Sequence, residues 1–474
     1  PQLDPTKLAA VFQDGEEFEN AKNMLSSVGV VHIDGNGVGA IMRDLGCAHR
    51  AVQKVGVSTI SDEESKGLQS FIMEVNRRLD NVVKDAIALS WYYVQELTPD
   101  TVVPIVPVLV GGDDVTVYTD GRYAIPFAEA YIQHYERLTK DDDLLSVLAI
   151  VAGGKKGDAP ERDQFEIDDY IIQNPGPLTA SAGVAIVGRN FPFHIAYDLA
   201  EGLVKRGKKL GKKKGEVPCS TIDFHVLRDA TVLDPDETLD EYKGRVQRPF
   251  LVGHYAPERI GDAPTTSPEE APTAESQPLP SWECILRAVA VFDGKKPDDP
   301  TQSTGDPFPR ARANRIVKLL ADYVKVPKDD KARSECLGYV VLEDNEQAFA
   351  TQEQIDNDKQ KPDGEKQKPD DAERITKRCN HPICTIRLEW TDAQENARGT
   401  KALVDALGPL PSKTRLDDPD EHTEDCIEQV RWLLDLIDMS GNLPEGYLAS
   451  RISGDADCVG SQEAADKSIA GGAE

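Results

Sequence analysis

The sequence has no long hydrophobic run and little cysteine. Its longest apolar stretch, LLSVLAIVA at 144–152, is about half as long as the roughly 18 residues that a membrane helix needs. Eight cysteines scattered over 474 residues indicate reduced thiols rather than a disulfide framework. The first residues, PQLDPTKLAA, show neither the cationic start nor the apolar core of a secretory signal. These absences predict a cytoplasmic protein that makes no contact with membranes.

Basic residues are also scarce, since 54 Lys and Arg stand against 83 Asp and Glu, for a net charge of −29. Such a surface repels long nucleic acid, whose affinity for proteins comes mostly from cations placed on phosphates. The exception is KRGKKLGKKK at 205–214, where seven of ten residues are basic. This run predicts a local phosphate-binding patch, with Lys208 and Lys212 at i and i+4 on one helix face. A solvated helix end is the alternative interpretation.

The hydrophobic pattern predicts an α+β fold of ferredoxin-like type. The expected elements are a strand at 29–34, helices at 37–45 and 61–97, a hairpin around GGDD at 111–114, a helix at 122–138, a strand at 179–187, a helix at 192–210 and a strand at 219–226. This order predicts a sheet in which the hairpin and the first strand are adjacent at the centre. Pro104 and Pro107 place the first hairpin strand at an edge.

Composition divides the rest of the chain. We expect a helical lead-in at 1–24, the α+β domain at 25–230, and an extension with a disordered linker rich in Pro, Glu, Ser and Thr at 231–280. A helical segment at 281–343, a disordered tract at 344–373, a helical unit at 374–458 and a disordered tail at 459–474 follow. The C-terminal region is therefore predicted to be separate and mainly helical.

Two short motifs place acidic residues at the ends of predicted strands. In DGNG, Asp34 precedes the glycines, whereas a Rossmann turn has its acid about 20 residues later, at the end of a second strand. GGDD supplies Asp113 and Asp114 at the hairpin tip. Three carboxylates that share one site need cations between them, so these acids predict a site for two Mg²⁺ or Mn²⁺ ions. Either motif alone is a common turn.

The glycines beside these acids predict a nucleotide site. Backbone amides at 35–39, at the start of a helix, can approach a triphosphate, and the hairpin glycines can do so from the other side. The residues expected to bind nucleotide are Gly35, Asn36, Gly37, Val38, Gly39, Gly111, Gly112, Lys208 and Lys212. His32, two residues before Asp34, should point to the same face and act as a core or supporting residue.

Together, IDGNGVGAIMRDL, VLVGGDDVTVY, LTASAGVAIV, GKKLGKKK and STIDFHVL resemble the second palm domain of the large polymerase-like subunit of type III CRISPR complexes. That palm is related to GGDEF diguanylate cyclases and class III nucleotidyl cyclases. The similarity covers about residues 25–230, and GRVQRPFLV at 244–252 resembles the segment that follows the palm in this family.

The resemblance implies a nucleotidyltransferase that joins ATP 3′ to 5′ into cyclic oligoadenylates for antiviral defence. It implies that Asp34, Asp113 and Asp114 are catalytic, that the metal ligands are Asp34, Ile33, Asp113 and Asp114, and that Lys208 holds the triphosphate. Partners would be a nucleoside triphosphate and either other subunits of a CRISPR-type complex or a second copy of the chain.

Other functions stay open. The domain can serve as a non-catalytic nucleotide sensor or scaffold, or as a diguanylate or mononucleotide cyclase. Met42 stands eight residues after Asp34, where the GGDEF family has an Asn that reads guanine, which makes diguanylate synthesis the weaker choice. CNHPIC and HTEDC offer Cys379, His381, Cys384, His422 and Cys426, but their spacing is not that of a standard zinc finger, so zinc is not expected.

Overall fold

The computed structural model describes residues 27–43, 45–55, 67–98, 103–152, 165–167, 170–172, 176–211, 219–227, 234–254, 282–324, 339–341, 349–351, 386, 389, 403 and 421–452. Within these residues the fold is α+β and has eleven helices. The predicted helical lead-in, most of the linker and the tail fall outside the described part, as do residues 212–214 of the basic run and Cys379, His381 and Cys384.

A mixed six-stranded sheet forms the centre. Its strands are β1 (Ser27–Gly35), β2 (Ile105–Gly111), β3 (Asp114–Asp120), β6 (Ala180–Gly188), β7 (Ser220–Val226) and β8 (Phe250–Val252), in the order β2-β3-β1-β6-β7-β8. All neighbours are antiparallel except β6 and β7. Two further pairs of short strands are β4 (Phe165–Ile167) with β5 (Tyr170–Ile172), and β9 (Tyr339–Val341) with β10 (Phe349–Thr351).

Helices cover both faces of the sheet. They are α1 (Val38–Arg43), α2 (Leu45–Val55), α3 (Leu68–Leu97), α4 (Gly121–Asp141), α5 (Leu145–Ala152), α6 (Phe193–Gly211), α7 (Pro235–Glu241), α8 (Trp282–Phe292), α9 (Arg310–Val324), α10 (Glu421–Gly441) and α11 (Tyr447–Ile452). No described helix is both long enough and apolar enough to cross a bilayer.

The side chains of β1 point alternately into two layers of the hydrophobic core, one on each face of the sheet. Val31 and Ile33 are fully buried in the layer shared with α3 and α4, whereas Val28 and Val30 face the layer shared with α6. Because successive side chains on a strand point to opposite faces, Asp34 and His32 lie on the α6 side. The strand therefore delivers its polar residues to the face on which the basic run begins.

The predicted hairpin and its position are confirmed. β2 and β3 pair through a two-residue loop, and β3 lies directly beside β1. β2 is the edge strand, with a register shift between Pro107 and Leu109, as its prolines predicted. The predicted start of the long helix, at residue 61, lies outside the described residues, and α3 is described from Leu68.

The prediction of a separate C-terminal region is wrong. Trp282 of α8 and Trp432 of α10 both pack on Phe250 of β8, with ring centroids 6.1 and 5.7 Å from that of Phe250. Buried residues of α8 to α11 belong to the same hydrophobic cluster as those of β1, α3 and α4. The sheet also continues past residue 230, because β8 pairs with β7. The sequence pattern hides this continuity, since a long polar linker stands between β8 and α8.

The tract at 344–373 was predicted to be disordered, yet β10 lies within it and pairs with β9. The two strands hold three residues each, FAT and YVV. Alternation over three residues gives too little pattern to distinguish a strand from a loop. The rest of the tract falls outside the described residues.

Glu136, a buried acid of α4, links this helix to β7 and to the residues that follow β8. Glu136 is almost completely buried and accepts hydrogen bonds from Ser220 Oγ at 2.5 Å and from the main-chain N–H of His254 at 2.6 Å. Burial raises the pKa of Glu136 to about 7, although both hydrogen bonds and the charge of Lys140 act to lower it. The folded protein therefore binds this proton more tightly than the unfolded chain does.

We expect Glu136 to make the protein less stable as the pH rises from about 4.5 to about 7. The folded state binds more protons in this window, so the free energy of unfolding falls with rising pH, by about 3 kcal/mol at most for this group. Urea unfolding of the wild type and of Glu136→Gln, measured across pH 4.5 to 8, should show a shallower fall in the variant. Equal slopes would contradict this assignment.

Candidate functional site

The end of β1 and the β2–β3 turn bring two acidic residues face to face. Asp34 is the cross-strand partner of Asp114 in the β1–β3 ladder. Gly111 pairs with Asp114, which leaves Gly112 and Asp113 as the two loop residues. Gly112 has φ +63°, the left-handed conformation that tight hairpins favour at this position and glycine adopts without strain. The GGDD sequence thus fixes the register that sets Asp114 opposite Asp34.

Asp34 and Asp114 form a pair of like charges, called the carboxylate pair below. Burial raises the pKa of Asp114, and the charge of Asp34 and a hydrogen bond between the two carboxyl groups raise it further. Two adjacent carboxylates are stable together only with a shared proton or a cation near them. The pair is therefore a position that favours positive charge.

A cation of the protein itself reaches this position. Lys208 of α6 makes an ion pair with Asp34 and donates a hydrogen bond to the main-chain carbonyl of Gly35, at 3.1 Å. Its side chain is about one-fifth exposed, and that of Asp34 about one-third. Lys208 therefore lies at the predicted site, with its ammonium against the predicted metal ligand Asp34, and its contact with a triphosphate stays a prediction.

The approach of α6 to the sheet positions Lys208. A Cβ at Gly207 would lie 2.5 Å from Thr221 Oγ1, and one at Gly211 would lie 2.4 Å from the carbonyl oxygen of Cys219. These two glycines flank Lys208 on the helix, so the helix lies close against β7 on both sides of this residue. A larger residue at either position would move the helix away from the sheet.

Arg206 belongs to the same basic run but has a structural role. Its guanidinium donates two hydrogen bonds to the fully buried Asp223, at 2.5 and 2.7 Å. Lys205 pairs with Glu201 at 2.9 Å on the exposed side of the helix. Lys212 lies outside the described residues. The run therefore contributes Lys208 to the site, while Arg206 holds α6 to β7.

Asp113 is placed differently from the carboxylate pair. A Cβ built at Gly35 would lie 2.8 Å from Asp113 Oδ2, so Asp113 occupies the space that a side chain at Gly35 would fill. That space is on the opposite side of β1 from the side chain of Asp34. Burial raises the pKa of Asp113 to about 6, and the charges of Asp34 and Asp114 contribute to the rise.

The predicted metal site stays a prediction, and the structure brings together two of its three carboxylates. Asp34 and Asp114 converge, and Asp113 is near enough to feel their charges but approaches from the other side of the strand end. Among the described residues, no three His, Cys, Asp or Glu side chains are grouped so as to hold a metal ion. Two converging carboxylates nevertheless fit a divalent cation with oxygen ligands, since magnesium is commonly held by one or two carboxylates and keeps several waters.

The other predicted nucleotide-binding residues divide into two groups. Gly39, Gly111 and Gly112 are open, since a Cβ at any of them would have no atom within 4 Å. Gly37 has φ +83°, and its carbonyl accepts the N–H of Ile41 at the start of α1. Val38 is buried in the core. The open glycines leave space beside the backbone at the turn and at the helix start, and their contact with a nucleotide stays a prediction.

Asn36 has a structural role that differs from the predicted one. Its main-chain N–H donates to the carbonyl oxygen of Thr179 at 2.7 Å, so this amide does not point to a phosphate. Its buried side chain bonds Thr179 Oγ1, Ser181 Oγ and the carbonyl oxygen of Cys219. Asn36 thus joins β1 to the strands that follow it in the sheet. Two of the hydroxyl groups in this network, those of Thr179 and Ser181, belong to the sequence LTAS at 178–181.

Two further predicted residues are in the core. Ile33 is fully buried, and its side chain lies on the face opposite the carboxylate pair, so its side chain cannot take part in the predicted metal set. His32 is buried, its Nδ1 lies 3.0 Å from Thr116 Oγ1, and burial lowers its pKa. The predicted supporting role of His32 agrees with this position next to the carboxylate pair.

Two buried tyrosines of α4, Tyr131 and Tyr135, were not among the residues predicted from the sequence. The hydroxyl groups of Tyr131 and Tyr135 are buried and have no hydrogen-bond partner within the described part of the chain. Their rings stack with centroids 5.9 Å apart. Burial, followed by neighbouring charges that include Asp113, raises the pKa of both. Their spacing of four residues matches one helix face, but it is equally typical of core packing.

Comparison with known families and with curated proteins gave no match for this chain. The functional argument therefore depends on the geometry of the carboxylate pair and its surroundings.

Proposed function

We propose that the protein is a metal-dependent nucleotidyltransferase that joins ATP 3′ to 5′ into cyclic oligoadenylates, as a second messenger in CRISPR-type or related antiviral defence. The observation that carries the proposal is the pairing of Asp34 with Asp114 at the mouth of a two-residue hairpin loop. A carboxylate from a central strand opposite one from an adjacent hairpin is an arrangement suited to divalent cations and phosphate esters.

The topology supports the same proposal. The unit β1-helix-β2 and the unit β3-α4-β6 interlock, and the sheet order β2-β3-β1-β6 with these directions is that of the ferredoxin-like fold. A palm of the nucleotidyl cyclase or polymerase type has this arrangement. We infer that the chain is such a palm, extended by β7 and β8 and covered at one end by the C-terminal helices.

Each residue of the site has a proposed role. Asp34 and Asp114 would hold Mg²⁺ or Mn²⁺, with Asp113 supporting them. The ions, when bound, would lower the pKa of the acceptor hydroxyl and neutralise the phosphates. Lys208 would move from Asp34 to the triphosphate and favour the departure of pyrophosphate by its charge. The open backbone at Gly39, Gly111 and Gly112 leaves space for the phosphates.

The test combines turnover with a matched pair of lysine variants. Full-length protein is incubated with ATP and Mg²⁺ or Mn²⁺, and pyrophosphate and oligoadenylate are measured. Lys208→Met is expected to lower kcat/KM for ATP by roughly 10- to 100-fold, because a charge-assisted contact to phosphate is lost. Lys209→Met, one residue further and exposed on the same helix, is expected to stay within about twofold of the wild type.

Absence of pyrophosphate from the wild type under all these conditions would overturn the catalytic proposal. Equal effects of the two lysine variants would overturn the role given to Lys208.

A second candidate function is a nucleotide sensor or scaffold without turnover. It is favoured by the ion pair of Lys208 with Asp34 and by the position of Asp113 across the strand end. Tight ATP binding without pyrophosphate would support this function. A mononucleotide or dinucleotide product would instead indicate a cyclase. We propose a cytoplasmic location for either function, with other subunits of a defence complex or a second copy of the chain as partners.

A further inference from the structure

A row of aromatic rings begins beside the carboxylate pair and continues along the α6 side of the sheet. The ring centroids of His32 and Tyr197 lie 5.2 Å apart, those of Tyr197 and Phe193 6.4 Å apart, and those of Phe193 and Tyr118 6.0 Å apart. These four residues are called the aromatic row. They come from β1, β3 and α6, so the fold assembles the row from three separate segments.

The row lies on the same face as the proposed catalytic acids. On β3, Asp114 and Tyr118 are four residues apart and share a face, about 13 Å from one another along the strand. On β1, His32 is two residues from Asp34. The charge of Asp114 affects the pKa of both His32 and Tyr197, which agrees with this proximity. The row therefore extends away from the acids on the face that a nucleotide bound at Asp34 and Asp114 would contact.

The far end of the row is open. Phe193 is 40% exposed, and the β2 residues Val106 and Leu109, which share this face by their pairing with β3, are 42% and 48% exposed. Exposed apolar surface next to a polar site is typical of a ligand-binding surface.

The charges around the row select the kind of ligand. Glu201 and Asp198 act on Tyr197 together with Asp114, and Lys205 opposes them. A phosphate would be repelled by this excess of acid, whereas an uncharged planar ring would not be. Stacking on aromatic side chains binds any nucleobase, because every base has a π face.

We propose that Tyr118, Phe193 and Tyr197 form a stacking surface for the base of the acceptor nucleotide, the one whose 3′-hydroxyl lies at Asp34 and Asp114. This inference rests on the proposed nucleotidyltransferase function and adds a subsite to it. The triphosphate of the donor would lie toward Lys208, at the other end of the carboxylate pair. Separate positions for the two nucleotides would allow the hydroxyl of one to meet the phosphate of the other.

The test measures base binding without metal and without turnover. The dinucleoside monophosphate ApA is titrated into full-length protein in EDTA, and binding is followed by saturation-transfer NMR and tyrosine fluorescence. Phe193→Ala is expected to weaken ApA binding roughly 5- to 100-fold. Phe193→Trp should retain it, because a larger ring preserves stacking. The control Met73→Ala, at an apolar residue of α3 that is 68% exposed, should behave as the wild type does.

The two proposals fail in different ways. If ApA does not bind the wild type, or binds Phe193→Ala and the wild type equally, the stacking surface is overturned whatever the turnover with ATP. If ApA binding depends on Phe193 while ATP gives no pyrophosphate, the stacking surface stands as a nucleobase site and the transferase function fails. Binding of ribose 5-phosphate as tight as that of ApA would also overturn the stacking surface, because that ligand has no base.

Discussion

Asp34→Asn is expected to reduce ATP turnover by at least roughly 100- to 1,000-fold while leaving the protein folded. The amide keeps the shape of the side chain but removes the charge that, with Asp114, favours a divalent cation. It also removes the partner of Lys208, which leaves the ammonium without its carboxylate. Asp114→Asn should have an effect of the same order, because the two residues are direct cross-strand partners.

Stability distinguishes this result from simple unfolding. Asn in place of Asp34 ends the repulsion within the carboxylate pair and ends one partly exposed ion pair, so the free energy of unfolding should change by no more than about 1 kcal/mol. Asp85→Asn, at an exposed acid of α3, is the control and should keep full turnover. Turnover within tenfold of the wild type for Asp34→Asn would contradict the assigned role.

Arg248→Met is expected to destabilise the protein by about 3–5 kcal/mol. The guanidinium is fully buried, lies over the ring of Phe224, and approaches Asp438 at 2.8 Å and Asp435 at 3.3 Å. Its removal takes the guanidinium away from two buried acids of α10. Burial already raises the pKa of Asp435 to about 7 despite the charge of Arg248, which shows how strongly this position disfavours an unpaired carboxylate.

Urea unfolding, followed by circular dichroism, measures the effect. Arg77→Met is the matched control, because Arg77 pairs with Glu74 on α3 but is 61% exposed, and it should cost less than about 1 kcal/mol. A loss of only about 1 kcal/mol for Arg248→Met would mean that α10 is not a cooperative part of the core. The variant therefore also tests the finding that the C-terminal helices belong to the same folding unit as the sheet.

The sheet and its main helices could be predicted from local patterns. The apolar run of β1, the proline-bounded run of β2 and the amphipathic period of α3 each carry enough residues to identify the element. β8, with three residues, does not. The docking of α8 and α10 could not be predicted either, because it depends on contacts of Phe250 with Trp282 and Trp432, and nothing in a sequence pattern pairs rings so far apart.

The geometry of the site could also be predicted only in part. The pairing of Asp34 with Asp114 follows from the alternation of side chains along β1 and from the two-residue loop of the hairpin. Both features could be predicted from the sequence. The position of Asp113 does not follow, since a loop side chain is directed by the turn and not by the strand. Nor could Arg206 be distinguished from the lysines around it, because its partner Asp223 is identified only when α6 lies against β7.

The close contact of α6 with β7 restricts which residues can replace Gly207 and Gly211 during evolution. The distance between Lys208 and Asp34 depends on how closely α6 packs against the sheet. A methyl group added at Gly207 would increase the spacing between α6 and β7. Replacement of Gly207 by alanine would therefore change the position of Lys208 relative to Asp34 without changing either of these residues. A single methyl group next to Lys208 would be enough to weaken its ion pair with Asp34.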